Sequence, residues 1–155
     1  MKPKLKTVPK VSAEEEADFD FGIAGERGAL IPAGDYDVGF VRAVKPFWCF
    51  NHQRTLLWFR VTTAGEHHGV ELYMACRTSP REGKKSLAPS SKLVRACALA
   101  LGRWPSRTDR LSTTAFKGKA FAARVETVTH DPKKQPLSTE AQYSIIRSLT
   151  KKIAG

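Results

Sequence analysis

The stretch from residue 45 to residue 54 brings aromatic and basic side chains close together in the sequence. It contains five candidate binding residues: Lys45, Phe47, Trp48, Phe50 and Arg54. Aromatic rings offer flat faces on which nucleobases stack, and each stacked base contributes ~1–3 kcal/mol of binding free energy. Lysine and arginine neutralise phosphates and thereby release counterions. This combination predicts recognition of a single-stranded nucleic acid rather than the breaking of a bond.

The same combination recurs in two segments, residues 55–63 and 70–77, whose apolar residues alternate with other types. Alternation with period two is typical of a half-buried strand, because successive side chains point to opposite faces of a sheet. Four more candidates lie between the apolar positions: Trp58, Arg60, Tyr73 and Arg77. We therefore expect these four side chains on the outer face of a sheet.

Two loops supply the remaining basic candidates. They are Arg81, Lys84 and Lys85 in the connector over residues 78–89, and Lys133 and Lys134 between two prolines. Charge runs of this kind are also typical of a merely solvated surface. Exposed aromatic residues likewise mark contacts between proteins. Packing of the aromatic loop over the end of the fold, or against a second copy of the chain, therefore stays an alternative.

The net charge is unevenly distributed along the chain. The 155 residues carry a net charge of +11, yet residues 1–28 contain five Lys/Arg and six Asp/Glu. Residues 29–155 contain 21 Lys/Arg against nine Asp/Glu and so carry +12. Such an excess favours a polyanionic partner, since phosphate neutralisation gives affinity without sequence specificity.

The elements that position the candidates follow from periodicity and turn residues. The pattern predicts three strands, one helix that starts near Ser91 and ends before Gly102, and two further strands. The strands are expected at residues 35–42, 55–63, 70–77, 120–128 and 142–149. This order predicts a mainly β fold: a five-stranded, OB-fold-like Greek-key barrel with one helix between strands 3 and 4.

In an OB-fold the binding groove crosses the second and third strands. It is flanked by the loop between strands one and two and by the loop between strands four and five. Applied to this chain, that geometry brings the aromatic stretch, the four outward side chains and the lysine pair to one groove. The fold and the candidate residues are therefore consistent with each other.

Four strand openings resemble those of single-stranded-DNA-binding proteins of OB-fold character from phages and mobile elements. They are Leu30-Ile31-Pro32-Ala33-Gly34-Asp35-Tyr36, Leu57-Trp58-Phe59-Arg60-Val61, Gly118-Lys119-Ala120-Phe121 and Tyr143-Ser144-Ile145-Ile146. The resemblance covers residues 30–149 and implies binding of single strands without catalysis, in replication, recombination or conjugation. The aromatic loop and the position of the acidic segment at the N-terminus depart from that family.

Residues 1–28 are expected to form a flexible arm, and residues 29–155 the nucleic-acid-binding domain. The arm contains an acidic-aromatic segment, residues 14–21, with few apolar side chains to offset its ordering entropy. Its charge and two phenylalanines suggest mimicry of a nucleic acid strand. The hypothesis is that it occupies the basic groove of the free protein or recruits replication or recombination proteins.

Catalytic and metal-binding patterns find little support. The chain has no phosphate-binding loop of the Gly-x-x-x-x-Gly-Lys-Ser/Thr type. Asp35 and Asp37 share one strand face and suit Mg²⁺ in principle, but charges that keep a strand soluble are the preferred interpretation. Cys49-x-x-His52 with a distant histidine pair departs from zinc-site spacing. We expect no enzyme activity, no metal and no cofactor.

Several alternatives remain open at this stage. The same groove would also suit RNA, the aromatic loop at residues 47–50 would suit a protein partner, and the aspartates would suit a metal-dependent nuclease. Homo-oligomerisation is compatible with each of these functions. Because no apolar segment reaches the length of a membrane span and no secretory pattern opens the chain, we expect a cytoplasmic protein without a membrane partner.

Overall fold

A computed structural model describes residues 29–49, 52–80, 83, 86–106 and 111–155. The proposed arm, residues 1–28, lies outside the described residues, and so do four candidate binding residues: Phe50, Arg81, Lys84 and Lys85.

The described chain forms six strands and one α-helix. The strands are β1 (Gly34–Ala43), β2 (Phe47–Cys49), β3 (His52–Val61), β4 (Glu71–Arg77), β5 (Ala120–Val128) and β6 (Tyr143–Ala154). The helix α1 (Lys92–Leu101) lies between β4 and β5, and short 3-10 turns occupy Thr113–Phe116 and Thr139–Ala141. No helix within the described ranges is both long and apolar enough to cross a membrane.

All strands pair antiparallel in a single sheet, which confirms the prediction of a mainly β fold with one helix. The prediction of five strands is wrong, because part of the expected aromatic loop is the short strand β2. Phe47 pairs with Arg54, and Trp48 with Gln53, on the edge of β3 that β1 also uses. Residues 47–49, which were expected in a loop, therefore belong to the sheet.

The sheet does not close into a barrel through hydrogen bonds. Hydrogen-bonded neighbours run from β4 through β3, β1 and β5 to β6. Between β4 and β6, the two ends of this path, no ladder forms among the described residues. The two strands nevertheless lie side by side, and α1 packs against both. Side chains, rather than backbone pairing, therefore fill the gap.

The core lies on the inner face of the sheet, where apolar side chains alternate with outward ones as predicted. Leu57, Phe59 and Val61 of β3 are fully buried. The 3-10 turn Thr113–Phe116 inserts the ring of Phe116, whose centroid lies 6.5 Å from that of Phe59. Burying such rings dominates the apolar stabilisation of a small domain.

Helix α1 begins and ends as the sequence predicts. Val94 donates its backbone N–H to the Ser91 hydroxyl, which caps the N-terminus. Gly102 adopts a left-handed conformation at φ 76° and closes the C-terminus. Lys119 and Lys152 donate to the carbonyl of Ala100, which places positive charge at the negative end of the helix dipole.

Candidate nucleic-acid interface

A row of four side chains crosses the outer face of four neighbouring strands. Arg42 of β1 lies over the ring of Trp58 of β3, with the guanidinium carbon 4.8 Å from the ring centroid. The ring of Tyr73, on β4, meets Trp58 at 5.2 Å in an edge-to-face arrangement. Tyr143, the first residue of β6, lies 6.5 Å from Tyr73. We call these four residues the aromatic row.

A β-bulge in β1 brings Arg42 into the aromatic row. Phe40 pairs with Phe59 on the inner face, but the register then shifts and Arg42 pairs with Trp58 on the outer face. Uninterrupted alternation from Val38 through Phe40 would have pointed Arg42 inward. The extra residue of the bulge reverses the side on which the following side chain projects.

Glu71 connects the aromatic row to a second arginine. Arg60 Nη2 lies 2.6 Å from Glu71 Oε2, and Arg42 Nη1 lies 3.3 Å from Glu71 Oε1. The hydrogen bond from Arg60 is the main cause that lowers the pKa of the Glu71 carboxyl, and Arg42 acts in the same direction. One carboxylate thus fixes the orientation of two guanidinium groups, which come from β1 and β3.

A second group of basic residues lies at the other end of β3 and β4. Arg54 and Arg77 face each other across the two strands. Within the part of the chain that the structure describes, neither forms an ion pair with an acidic residue. Like charges directly opposite each other destabilise a sheet. Arg77 also donates to the backbone carbonyls of Ser79 and Pro80, which fix its guanidinium.

His52 and Lys92 extend this second basic group. Burial lowers the pKa of His52, and the charges of Arg54 and Arg77 lower it further. Burial also lowers the pKa of Lys92, the first residue of α1, with repulsion from Arg147 and Arg54 acting in the same direction. Mutual repulsion among these cations disfavours the free state, and a bound anion would relieve it.

Strand β2 places Phe47 and Trp48 of the predicted aromatic loop on opposite sides. Phe47 pairs with Arg54 and therefore lies on the same outer face as that arginine. Trp48 follows Phe47 in the strand and projects to the opposite side, where 68% of its surface is exposed. Lys45, just before β2, is exposed and borders a cavity of about 410 Å³.

The loop between β5 and β6 presents the predicted lysine pair. Lys133 and Lys134 are both exposed in it. The carboxylate of Asp131 accepts hydrogen bonds from the backbone N–H groups of Lys133 and Gln135, which define the turn. Because β6 follows this loop, the lysines precede Tyr143 and lie on the side of the molecule where the aromatic row ends.

The structure brings together part of the predicted site. Six of the fourteen predicted residues share the outer face of β3 and β4 or of β2 beside them: Phe47, Arg54, Trp58, Arg60, Tyr73 and Arg77. Lys45, Lys133 and Lys134 belong to flanking loops, and Trp48 points to the other side. Sequence reasoning missed Arg42, Glu71, Lys92 and Tyr143, because their roles depend on contacts between distant segments.

The aspartates and histidines weighed for a metal site do not form a cluster within the described ranges. Across the described ranges, no three His, Cys, Asp or Glu residues lie close enough to hold a metal ion. Asp35 faces Arg124, with 3.6 Å between Asp35 Oδ1 and Arg124 Nη1. Cys76 and Cys97 are buried, and burial raises the pKa of the Cys76 thiol to about 12. Both behave as small core residues.

Comparison with known proteins finds no matching family profile, no similar curated protein and no similar solved structure.

Proposed function

We propose that the protein binds single-stranded DNA without sequence specificity on the outer face of β3, β4 and β6. The aromatic row carries this proposal. The rings of Trp58, Tyr73 and Tyr143 are neighbours on one face, at centroid spacings of 5.2 and 6.5 Å, and offer adjacent aromatic surfaces on which bases can stack. Stacking is tolerant of sequence, because every base has an aromatic face.

Basic residues on both sides of the aromatic row support contacts to the sugar-phosphate backbone. Arg60, joined to Arg42 through Glu71, lies on one side, and Arg54 and Arg77, with Lys92 close to Arg54, lie on the other. The second group has an electrostatic reason to accept an anion, because its members repel one another. A backbone that tracks past both groups would replace this repulsion with attraction.

The proposed fold is an incompletely closed barrel of OB character. The strand order β4, β3, β1, β5, β6, with the helix after the third long strand, agrees with that topology. The adjacency of β4 and β6, with α1 packed on both, supports closure by side chains. In this topology the outer face of the second and third long strands is the expected binding face.

The proposal is one of binding without a catalytic step, in the replication, recombination or conjugation of a mobile element. RNA is the competing ligand for the same face. Matched dT and rU oligomers in a competition assay distinguish the two, and preference for rU would replace DNA by RNA in the proposal. Cleavage of a labelled strand in Mg²⁺ that disappears with Asp35→Ala would instead establish a nuclease.

Tryptophan fluorescence tests the proposal directly. The chain contains three tryptophans, so a variant with Trp48→Phe and Trp104→Phe reports on Trp58 alone. Oligo-dT is expected to quench this variant, since a stacked base contacts the indole. The affinity is expected to fall with salt at a logarithmic slope of about −0.7 per phosphate contact.

The matched control retains Trp104, with Trp48→Phe and Trp58→Phe. Trp104 follows α1, outside the strands that carry the aromatic row, and is 60% exposed. Its fluorescence is expected to change little. If oligo-dT leaves the Trp58 signal unchanged and an independent assay detects no complex at 20 mM or 200 mM salt, the proposal is refuted.

Trp48 favours a second candidate function, the docking of a protein partner. Its indole is 68% exposed and lies on the opposite side of β2 from Phe47. Large exposed aromatic side chains are enriched in protein interfaces. A partner held in this way would associate with little dependence on salt, and Trp48→Ala would abolish its binding without changing affinity for oligo-dT.

A further inference from the structure

The bridge between Arg42, Glu71 and Arg60 has the chemistry of an anion site that is occupied by the protein's own carboxylate. Three strands contribute one residue each: β1, β4 and β3. The two oxygens of Glu71 each accept from a different guanidinium, at 3.3 Å and 2.6 Å. The planar donor array of arginine binds carboxylate and phosphate oxygens in the same way.

The bridge lies beside the tryptophan ring on which a base is proposed to stack. The Arg42 guanidinium that contacts Glu71 also lies over Trp58, 4.8 Å from the ring centroid. A base that stacks in the aromatic row therefore has its backbone within reach of Arg42. Glu71 itself is cross-strand partner to Arg60 and lies two residues from Tyr73 on the same face of β4.

The bridge is also weak enough to exchange. All three side chains are partly exposed, with 31% of the Glu71 side chain and more than half of each arginine open to solvent. Ion pairs at such positions contribute little net free energy, because water and salt screen them. Two cations and one anion leave a net charge of +1, which attracts a further anion.

We propose that the Arg42–Glu71–Arg60 bridge is a subsite for one backbone phosphate of single-stranded DNA, and that Glu71 stands in for this phosphate in the free protein and is displaced when the strand binds. The inference rests on the proposed function and refines it. Glu71 then limits affinity, because the strand must compete with it, and it orients both arginines before the strand arrives.

The test measures the binding of fluorescent oligo-dT by polarisation with the full chain at several salt concentrations. Glu71→Gln keeps the size of the side chain and a carbonyl that accepts from arginine, but removes the negative charge. Affinity is expected to rise about three- to tenfold, as for the loss of one exposed charge interaction. The logarithmic salt slope is expected to steepen by about 0.7, because the two arginines of the free variant hold a counterion in place of the Glu71 carboxylate and release it when the phosphate binds.

Asp35→Asn is the matched control, because it removes one charge from another exposed carboxylate–arginine pair. Asp35 pairs with Arg124 and lies seven residues before Arg42 in β1, roughly 23 Å away at 3.3 Å per residue. Its effect on affinity is expected to be smaller than twofold. Circular dichroism of both variants verifies that each is folded.

A second readout follows the Glu71 carboxyl by NMR, with and without oligo-dT. In the free protein the two arginines hold the pKa of this carboxyl below its ordinary value. Displacement by a phosphate is expected to raise the pKa, since the arginines are lost and a negative charge arrives nearby.

The outcomes separate the two proposals. If the wild-type protein does not bind oligo-dT, the proposed function and this inference both fail. If it binds but Glu71→Gln binds no more tightly than Asp35→Asn, only the phosphate subsite is refuted. A Glu71 pKa that stays low in the complex would likewise show that the carboxylate keeps its arginines, and would overturn its displacement.

Discussion

At the scale of single residues, the outer face of the free protein combines a partly exposed ion-pair bridge with arginines that repel each other. Arg42 stacks on Trp58 and shares Glu71 with Arg60. Arg54 and Arg77 stand opposite each other as like charges. Arrangements that lower the stability of the folded protein are typical of functional sites, where a bound ligand can offset the loss in free energy.

Tyr143 provides a residue-scale prediction, because it ends the aromatic row and was not evident from the sequence. Tyr143→Ala removes one stacking surface and is expected to lower affinity for oligo-dT by ~1–3 kcal/mol, about 5- to 150-fold. Fluorescence polarisation measures this loss. Trp104→Ala removes an exposed aromatic side chain elsewhere and is the control; equal effects of the two substitutions would contradict a specific role for the aromatic row.

We expect His52 to make oligo-dT binding depend on pH. Burial and the charges of Arg54 and Arg77 lower its pKa in the free protein. A bound phosphate would raise it, so the complex takes up a proton, and oligo-dT affinity is expected to increase as the pH falls from 7.5 to 5.5. His52→Asn should reduce this slope. If the pH profiles of variant and wild type coincide, His52 does not sense the ligand.

The same lowered pKa has the opposite effect on the stability of the free protein. The unfolded chain binds the His52 proton near the ordinary pKa of about 6.5, before the folded chain does. The contribution of His52 to the free energy of unfolding therefore falls as the pH falls through that range. As the pH falls, we therefore expect His52 to increase the affinity for oligo-dT and to decrease the stability of the free protein.

At the scale of elements, the start of helix α1 combines a favourable cap with an unfavourable charge. Ser91 caps the first turn, but Lys92 places a half-buried cation at the positive end of the helix dipole. Arg54 and Arg147 repel the same ammonium and help to lower its pKa. Under the proposed function, a bound phosphate would relieve this repulsion and so explain a lysine at this position.

Lys92→Gln tests this explanation through two opposite effects. The substitution is expected to raise the free energy of unfolding by ~0.3–1 kcal/mol, because it removes a charge that the dipole disfavours. Affinity for oligo-dT is expected to fall severalfold with the loss of one phosphate contact. Urea denaturation measures the free energy of unfolding, and fluorescence polarisation measures the affinity for oligo-dT. Arg95→Gln, on the exposed side of the same helix, is expected to change neither by a comparable amount.

At the scale of the whole molecule, Ala29, the first described residue, lies close to the proposed binding face. The carbonyl of Ala29 accepts from the backbone N–H of Ser144, the residue after Tyr143. Residue 21 precedes Ala29 by eight residues, which span up to ~29 Å. The aromatic row is shorter than this reach, and its charge is opposite to that of residues 14–21.

Deletion of residues 1–28 is therefore expected to increase affinity for oligo-dT, because a tethered competitor acts at a high effective concentration. A full-length chain with Glu14, Glu15 and Glu16 replaced by glutamine should show part of the increase. Titration at low salt measures both. Unchanged affinity on deletion would contradict competition by the segment and leave recruitment of a partner protein as its proposed role.

The sequence by itself determined the features that depend on neighbouring residues. Alternation placed Leu57, Phe59 and Val61 inside and Trp58 and Arg60 outside, since a strand has a fixed period of two. Ser91 and Gly102 marked the ends of the helix through local backbone hydrogen bonds and a positive φ.

Only the tertiary structure decided how these elements meet. The bulge in β1 turned Arg42 outward, and the pairing of residues 47–49 with β3 separated Phe47 from Trp48. Tyr143 meets Tyr73 because β4 and β6, seventy residues apart in the chain, lie side by side. Local periodicity specifies the face of each strand, but register and strand adjacency depend on the packing of the complete sheet.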